Sequence, residues 1–200
     1  MKKKNLSLVF LLSCSMSVLF LSCTRENDTD KNSPAYHIAE SEKLVIPSEV
    51  DLPANLPGGN TRVATYYAEG VQKYKAQVKA GSSPVTYEWV FVAPKATLYS
   101  ASNKKAGTHG AGPYWEQSVS DSIFAQAFNP AKTVNPDTGS IPWLQLMPKS
   151  GKTATGIFAS VSYIQRIATK GGKAPANPPV NIADTADVFY TAVYRFTKKN

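Results

Sequence analysis

The sequence predicts an all-β, mainly antiparallel, single domain: a β-sandwich or β-barrel with long loops and at most one short helix. Two observations carry this prediction. Apolar residues recur with a period of two, so that Val85, Tyr87, Trp89 and Phe91 alternate with Thr86, Glu88, Val90 and Val92, and Val188, Tyr190, Ala192, Tyr194 and Phe196 alternate with Phe189, Thr191, Val193 and Arg195. An extended chain sends successive side chains to opposite faces, which makes this period the signature of strands. Between such runs lie turn-forming clusters at 57–60, 81–84, 135–139, 149–152 and 171–179, rich in Gly, Pro, Asn and Ser. Short strands punctuated in this way suit a sandwich or a barrel.

The first element stands outside that domain. Met1-Lys2-Lys3-Lys4, an apolar run over 6–21 and Ser22-Cys23 read as a secretory signal ending in a lipobox, with too many interruptions for a dedicated membrane span. Cleavage at Cys14 would leave a very short apolar region and strand Val18, Leu19, Phe20 and Leu21 at the new terminus, so 1–22 is the expected signal peptide and Cys23 the lipidated residue. Several acyl chains on one cysteine anchor stably. Thr24 rather than Asp follows it, which favours the outer over the inner membrane of a cell envelope. Residues 23–42 are polar, contain Pro34 and lack periodicity, which predicts a flexible tether with the folded domain over 43–200.

From there strands are expected over 61–69, 70–78, 85–92, 97–101, 141–147, 155–168 and 188–196. Only 121–128 competes as a short helix, because Ile123, Phe124, Ala127 and Phe128 share a helical face. Loss of Lys2, Lys3 and Lys4 lowers the formal charge from +8 to +5. The remaining cations are scattered over an exported chain, so no nucleic acid partner is expected. Cys14 and Cys23 are the two cysteines, which leaves the folded part with neither a disulfide nor a thiolate metal site.

Motifs for cofactor chemistry are missing. The glycines of Gly107-Thr108-His109-Gly110-Ala111-Gly112 fall in a different order from the dinucleotide fingerprint. Ser150-Gly151-Lys152-Thr153 resembles the end of a phosphate-binding loop, but Leu146 replaces its first glycine, so a hairpin loop is expected there. No Gly-x-Ser-x-Gly elbow occurs, and with His37 in the tether His109 stands alone in the domain. No metal, nucleotide or other cofactor is therefore predicted.

The residues left as candidates are few. His109, set among glycines near Trp115 and Glu116, is a candidate general base or hydrogen-bond donor. Glu116 and Asp121 are candidate carboxylates of a hydrolytic site with it. Trp115, beside Pro113 and Tyr114, is expected in a loop as a stacking platform, and Trp143, among Ile141, Leu144 and Leu146, as core. Gln165 and Arg166 are adjacent in a strand, so one of them faces inward and needs a partner.

Longer words in the sequence carry a resemblance. His109-Gly110-Ala111-Gly112-Pro113-Tyr114-Trp115-Glu116, Ile141-Pro142-Trp143-Leu144-Gln145-Leu146, Tyr163-Ile164-Gln165-Arg166-Ile167-Ala168 and Tyr190-Thr191-Ala192-Val193-Tyr194-Arg195-Phe196, with Gly70-Val71-Gln72-Lys73-Tyr74 ahead of them, resemble the domain of unknown function 3455 across about 52–196. The resemblance implies an exported domain with these boundaries and no established activity. It also implies one departure: where relatives often carry a cysteine pair, Ala76 and the run 176–180 stand here. The function expected is a binding or structural module at the cell envelope, with the membrane and a carbohydrate or envelope protein as partners; the alternative is a cofactor-independent hydrolase.

Overall fold

Eight antiparallel strands follow one another in chain order around a closed barrel. The computed structural model describes residues 30–200, so the expected signal segment, Cys23 and the start of the tether lie outside the described residues. The strands are β1 (Asn60–Val78), β2 (Tyr87–Tyr99), β3 (Lys105–Gly110), β4 (Tyr114–Ser118), β5 (Asp121–Val134), β6 (Trp143–Pro148), β7 (Tyr163–Gly171) and β8 (Thr185–Lys199). The last closes on the first over a register running from Asn60 opposite Lys199 to Lys75 opposite Thr185. Closure removes both sheet edges, and it selects the barrel from the two expected architectures.

The period of two decides what fills the barrel. Tyr66 and Ala68 of β1, Leu98 of β2, Ile123 and Ala125 of β5, Ile164 of β7 and Tyr190, Ala192, Tyr194 and Phe196 of β8 form one inner cluster. Each large side chain sealed there contributes roughly 1.5–3 kcal/mol of burial. Runs expected as separate strands fuse: 61–69 and 70–78 belong to the single strand β1, and most of 85–92 and 97–101 to β2, which spans Tyr87–Tyr99. A register shift between Lys73 and Tyr74 marks a bulge in this long pair.

Three expectations are corrected. Residues 121–128 are not helical; they open β5, where Ile123 and Ala125 alternate inward and the backbone pairs with β4 and β6. Strand pairing outweighs the weak helical face, and Pro130 sits where the register with β6 shifts between Ala127 and Lys132. The run 155–168 begins as a 3-10 turn over Gly156–Phe158, and strand starts only at Tyr163.

The third correction concerns the tether. Its second half is a helix, α1 (Pro34–Ser41), started by the Ser33 side chain accepting from the Tyr36 N–H and by Pro34 in the first turn. Ile38 packs with Tyr67, Ile167 and Val193 in a second apolar cluster on the outside of the barrel. His37 stacks on Tyr67 with ring centroids 4.6 Å apart. Arg195 then clamps the helix end, donating to the Ser41 carbonyl at 2.7 Å and pairing with Glu42 at 3.0 Å. The following segment lies along the wall, where the Val50 carbonyl accepts from Gln165 at 2.7 Å.

The two ends of the barrel differ. At one end the turn at Gly156–Phe158 plugs the bore with Phe158, which has no exposed surface and lies 4.8 Å from Phe196 by ring centroids. Asp121 holds that turn by accepting from the Ile157 N–H at 3.0 Å, and Gly156, at φ +56°, sits where an added Cβ would collide with the same carboxylate. The N-terminal helix enters at this floor end, its Ala35 N–H bonded to Asn103 in the β2–β3 turn at 2.8 Å. At the other end the 172–184 loop is tied to the wall by Tyr74 donating to the Gly172 carbonyl and Trp89 to the Asn177 carbonyl.

Candidate functional site

The bore opens at the end away from Phe158 into a cavity of about 310 Å³. Its wall is built by inward positions of six strands: Gln72 from β1, His109 from β3, Trp115 from β4, Leu144 and Leu146 from β6, Arg166 from β7 and Tyr194 from β8. Phe91 and Val92, half exposed, form its rim with the 111–113 turn. The volume falls within the range of small-molecule sites, and eight strands leave room inside for one small ligand.

The hairpin of β3 and β4 positions the first pair. His109 lies directly opposite Trp115 in the ladder, and the two rings stack with centroids 4.6 Å apart. His109 Nδ1 donates to the Tyr114 carbonyl at 2.7 Å, which fixes that nitrogen as the protonated one and leaves Nε2 as an acceptor. Burial pushes the imidazole down to about 4; the bond to the Tyr114 carbonyl opposes this, and the Arg166 guanidinium adds to it. The ring is thus neutral at ordinary pH. Burial also pushes the hydroxyls of Tyr190 and Tyr194 upward, so both stay protonated.

Arg166 resolves the question posed by its neighbour Gln165. It lies opposite Tyr194 and Leu144 in the two adjoining ladders and shares their inward face, while Gln165 points outward to Val50. Its Nε and Nη2 donate to the Pro142 carbonyl at 3.1 and 2.9 Å. Among the described residues no carboxylate lines the cavity and Arg166 makes no ion pair. Two further donors of the lining, the Gln72 Nε2 and the Trp115 Nε1, are buried and make no well-formed hydrogen bond among those residues, although Gln72 lies near enough to the Tyr190 hydroxyl to oppose the rise of its pKa.

The sequence candidates therefore separate. His109, Trp115 and Arg166 converge on the cavity, but His109 and Trp115 do so from strands rather than from the expected loop. Trp115 is no open platform: it has no exposed surface, with His109 stacked on it and Tyr194 and Phe196 set edgewise at 5.2 and 5.6 Å. Trp143, expected as core, is only partly buried on the outer wall beside Ile38, Tyr67 and Ile167. The reason is parity: Leu144 and Leu146 take the inward positions of β6, which leaves Trp143 outside.

The carboxylates do not join His109. Glu116 pairs with Thr108 on the face opposite to the His109–Trp115 pair, and Asp121 lies at the floor end. There Asp121 is held below the usual carboxylate range by the Ser118 hydroxyl of its own hairpin and then by the Ile157 N–H of the plug. Among the described residues no cluster of three or more His, Cys, Asp or Glu is placed to hold a metal ion. Sequence reasoning misses Gln72 and Tyr194 as cavity residues. Tyr194 is visible as an inward position of β8, but its place at the cavity depends on the register of closure.

A family model described as "Protein of unknown function (DUF3455)" matches residues 57–198, nearly the whole barrel. No curated protein and no solved structure matches the chain. The chain belongs to that family.

Proposed function

We propose that this member of an uncharacterised domain family is a small-molecule-binding module, held at the cell envelope by lipid on Cys23, with its ligand site inside the open end of the barrel. One observation carries the reading. The bore is plugged by Phe158 at one end and opens at the other into a cavity of about 310 Å³ whose lining includes buried donors that make no well-formed hydrogen bond among the described residues. A bore that served only the fold would be expected to fill this space with side chains and to satisfy those donors. The start of α1 at the floor end, where the Ala35 N–H bonds Asn103, fits an anchor attached on the side away from the mouth.

Two experiments test the two halves. N-phenyl-1-naphthylamine, a neutral fluorescent probe, should bind saturably at one site per chain, and Ala111→Trp, a change at an exposed position on the rim, should abolish binding with little change in melting temperature. Binding that is absent, or indifferent to Ala111→Trp, would remove the cavity reading. For the anchor, Cys23→Ala should release the protein from the membrane fraction and block incorporation of a fatty-acid label, whereas Cys14→Ala should leave the lipid attached.

A further inference from the structure

The charge inside the barrel says more about the ligand than its shape does. Arg166 places a permanent cation on the inward face of β7, among Tyr194, Leu144 and Leu146. Arg166 is partly buried, and a guanidinium drawn partly out of water among apolar side chains gains from a facing counter-charge. Here one carbonyl, that of Pro142, accepts from two of its nitrogens, and among the described residues the cavity lining contains no Asp or Glu. The nearby groups add donors rather than negative charge: Gln72 Nε2 and Trp115 Nε1 make no well-formed hydrogen bond among those residues, the Tyr194 hydroxyl is protonated, and His109 is neutral.

Resting on the cavity reading above, we propose that the ligand is a monoanion, a carboxylate-type oxyanion head on an apolar body, bound head-inward against Arg166. The charge count argues for one negative charge: among the described residues Arg166 is the single cationic side chain of the lining, and a doubly charged phosphate would leave one charge uncompensated in an apolar bore. The planar fork of Arg suits a two-oxygen head: its Nη1 does not bond the Pro142 carbonyl, and the Tyr194 hydroxyl beside the guanidinium can turn its own proton to the same head. The apolar body follows from the other wall residues. Leu144 stands directly opposite Arg166 in the ladder, and Leu146, Pro94 and Pro113, with Phe91 and Val92 at the rim, complete an apolar lining.

The test uses matched pairs on the full mature protein. First, with wild-type protein, 2-naphthoate and its uncharged amide compete against bound N-phenyl-1-naphthylamine. The acid should displace the probe at a concentration at least tenfold below that of the amide; equal potency would overturn the anion assignment. Second, the affinity ratio of 1-anilinonaphthalene-8-sulfonate to N-phenyl-1-naphthylamine, the same skeleton without the sulfonate, should fall at least tenfold in Arg166→Gln and be largely kept in Arg166→Lys. An unchanged ratio in Arg166→Gln would overturn the proposal, and the wild-type competition decides alone if that variant does not fold. Failure of the broader reading looks different: then no probe binds saturably, or Ala111→Trp leaves binding intact. Neutral and anionic probes bound equally, both lost in Ala111→Trp, would keep the cavity and refute the charge.

Discussion

Replacing His109 by Gln should remove a specific part of the acid sensitivity of the fold. His109 is buried and neutral, with its pKa pushed down to about 4 from an ordinary 6.5. The unfolded chain therefore binds a proton between these values that the folded chain refuses, and stability falls as pH drops through that window. Each pH unit between the two values is worth about 1.36 kcal/mol, so the full loss is roughly 3 kcal/mol, of which about 2 kcal/mol is already lost by pH 5. Above about pH 7 the two states bind equally and the group contributes no slope. His109→Gln keeps a side-chain N–H for the Tyr114 carbonyl but cannot titrate. Urea unfolding at a series of pH values from about 7.5 down to about 4 would measure the difference between wild type and variant. The account predicts a gap that shrinks by about 2 kcal/mol in the variant's favour between about pH 7.5 and 5. Parallel curves across that range would mean that the imidazole takes up its proton in the folded barrel as readily as in the unfolded chain, as a solvated ring does, and a wild type that gained on the variant as pH fell would mean an imidazole held charged; either would refute a dry, neutral His109.

Other consequences concern packing. Trp115→Ala should cost about 3–5 kcal/mol, since the indole is fully buried inside the bore, and Trp143→Ala, on the partly exposed outer wall, clearly less in the same denaturant titration; equal losses would contradict the inside–outside assignment of β4 and β6. Arg195→Ala should loosen the N-terminal helix, because the clamp on Ser41 and Glu42 is lost. Limited trypsin digestion should then cut faster after Lys43 with the barrel intact, and an unchanged rate would show that the apolar contacts of Ile38 hold the helix alone.

Much of the barrel is legible in the chain, for a physical reason that also marks its limit. β1, β2 and β8 are long, rich in aromatic and β-branched residues, and largely alternating, so their period shows without a partner. β3 and β4 are short, and Gly107 and Gly110 dilute the pattern of the first, so 105–118 has the look of a loop. β5 imitates a helix because Phe124 and Phe128 on its outer side complete a helical face with Ile123 and Ala127; only the backbone pairing with β4 and β6 decides the matter. The docked helix is signalled by Ser33-Pro34, a capping residue followed by proline, yet its surroundings look too polar to fold. At the site, residue types are visible and geometry is not. That Gln165 and Arg166 face opposite sides follows from adjacency, but which one enters the bore depends on register with β6 and β8. That Glu116 is turned away from His109 follows from a hairpin register in which His109 meets Trp115, and the tightness of the 110–114 turn is the signal that could reveal it.

The most direct test of the central claim is a titration of nitrogen-15-labelled protein with 2-naphthoate, watching the indole N–H signals. Trp115 lines the cavity, whereas Trp143 lies on the outer wall under α1. A ligand inside the barrel should shift the Trp115 signal saturably at one ligand per chain and leave Trp143 unmoved. A Trp115 signal that stays in place at saturating ligand, or a shift at Trp143 instead, would contradict a ligand site inside the barrel.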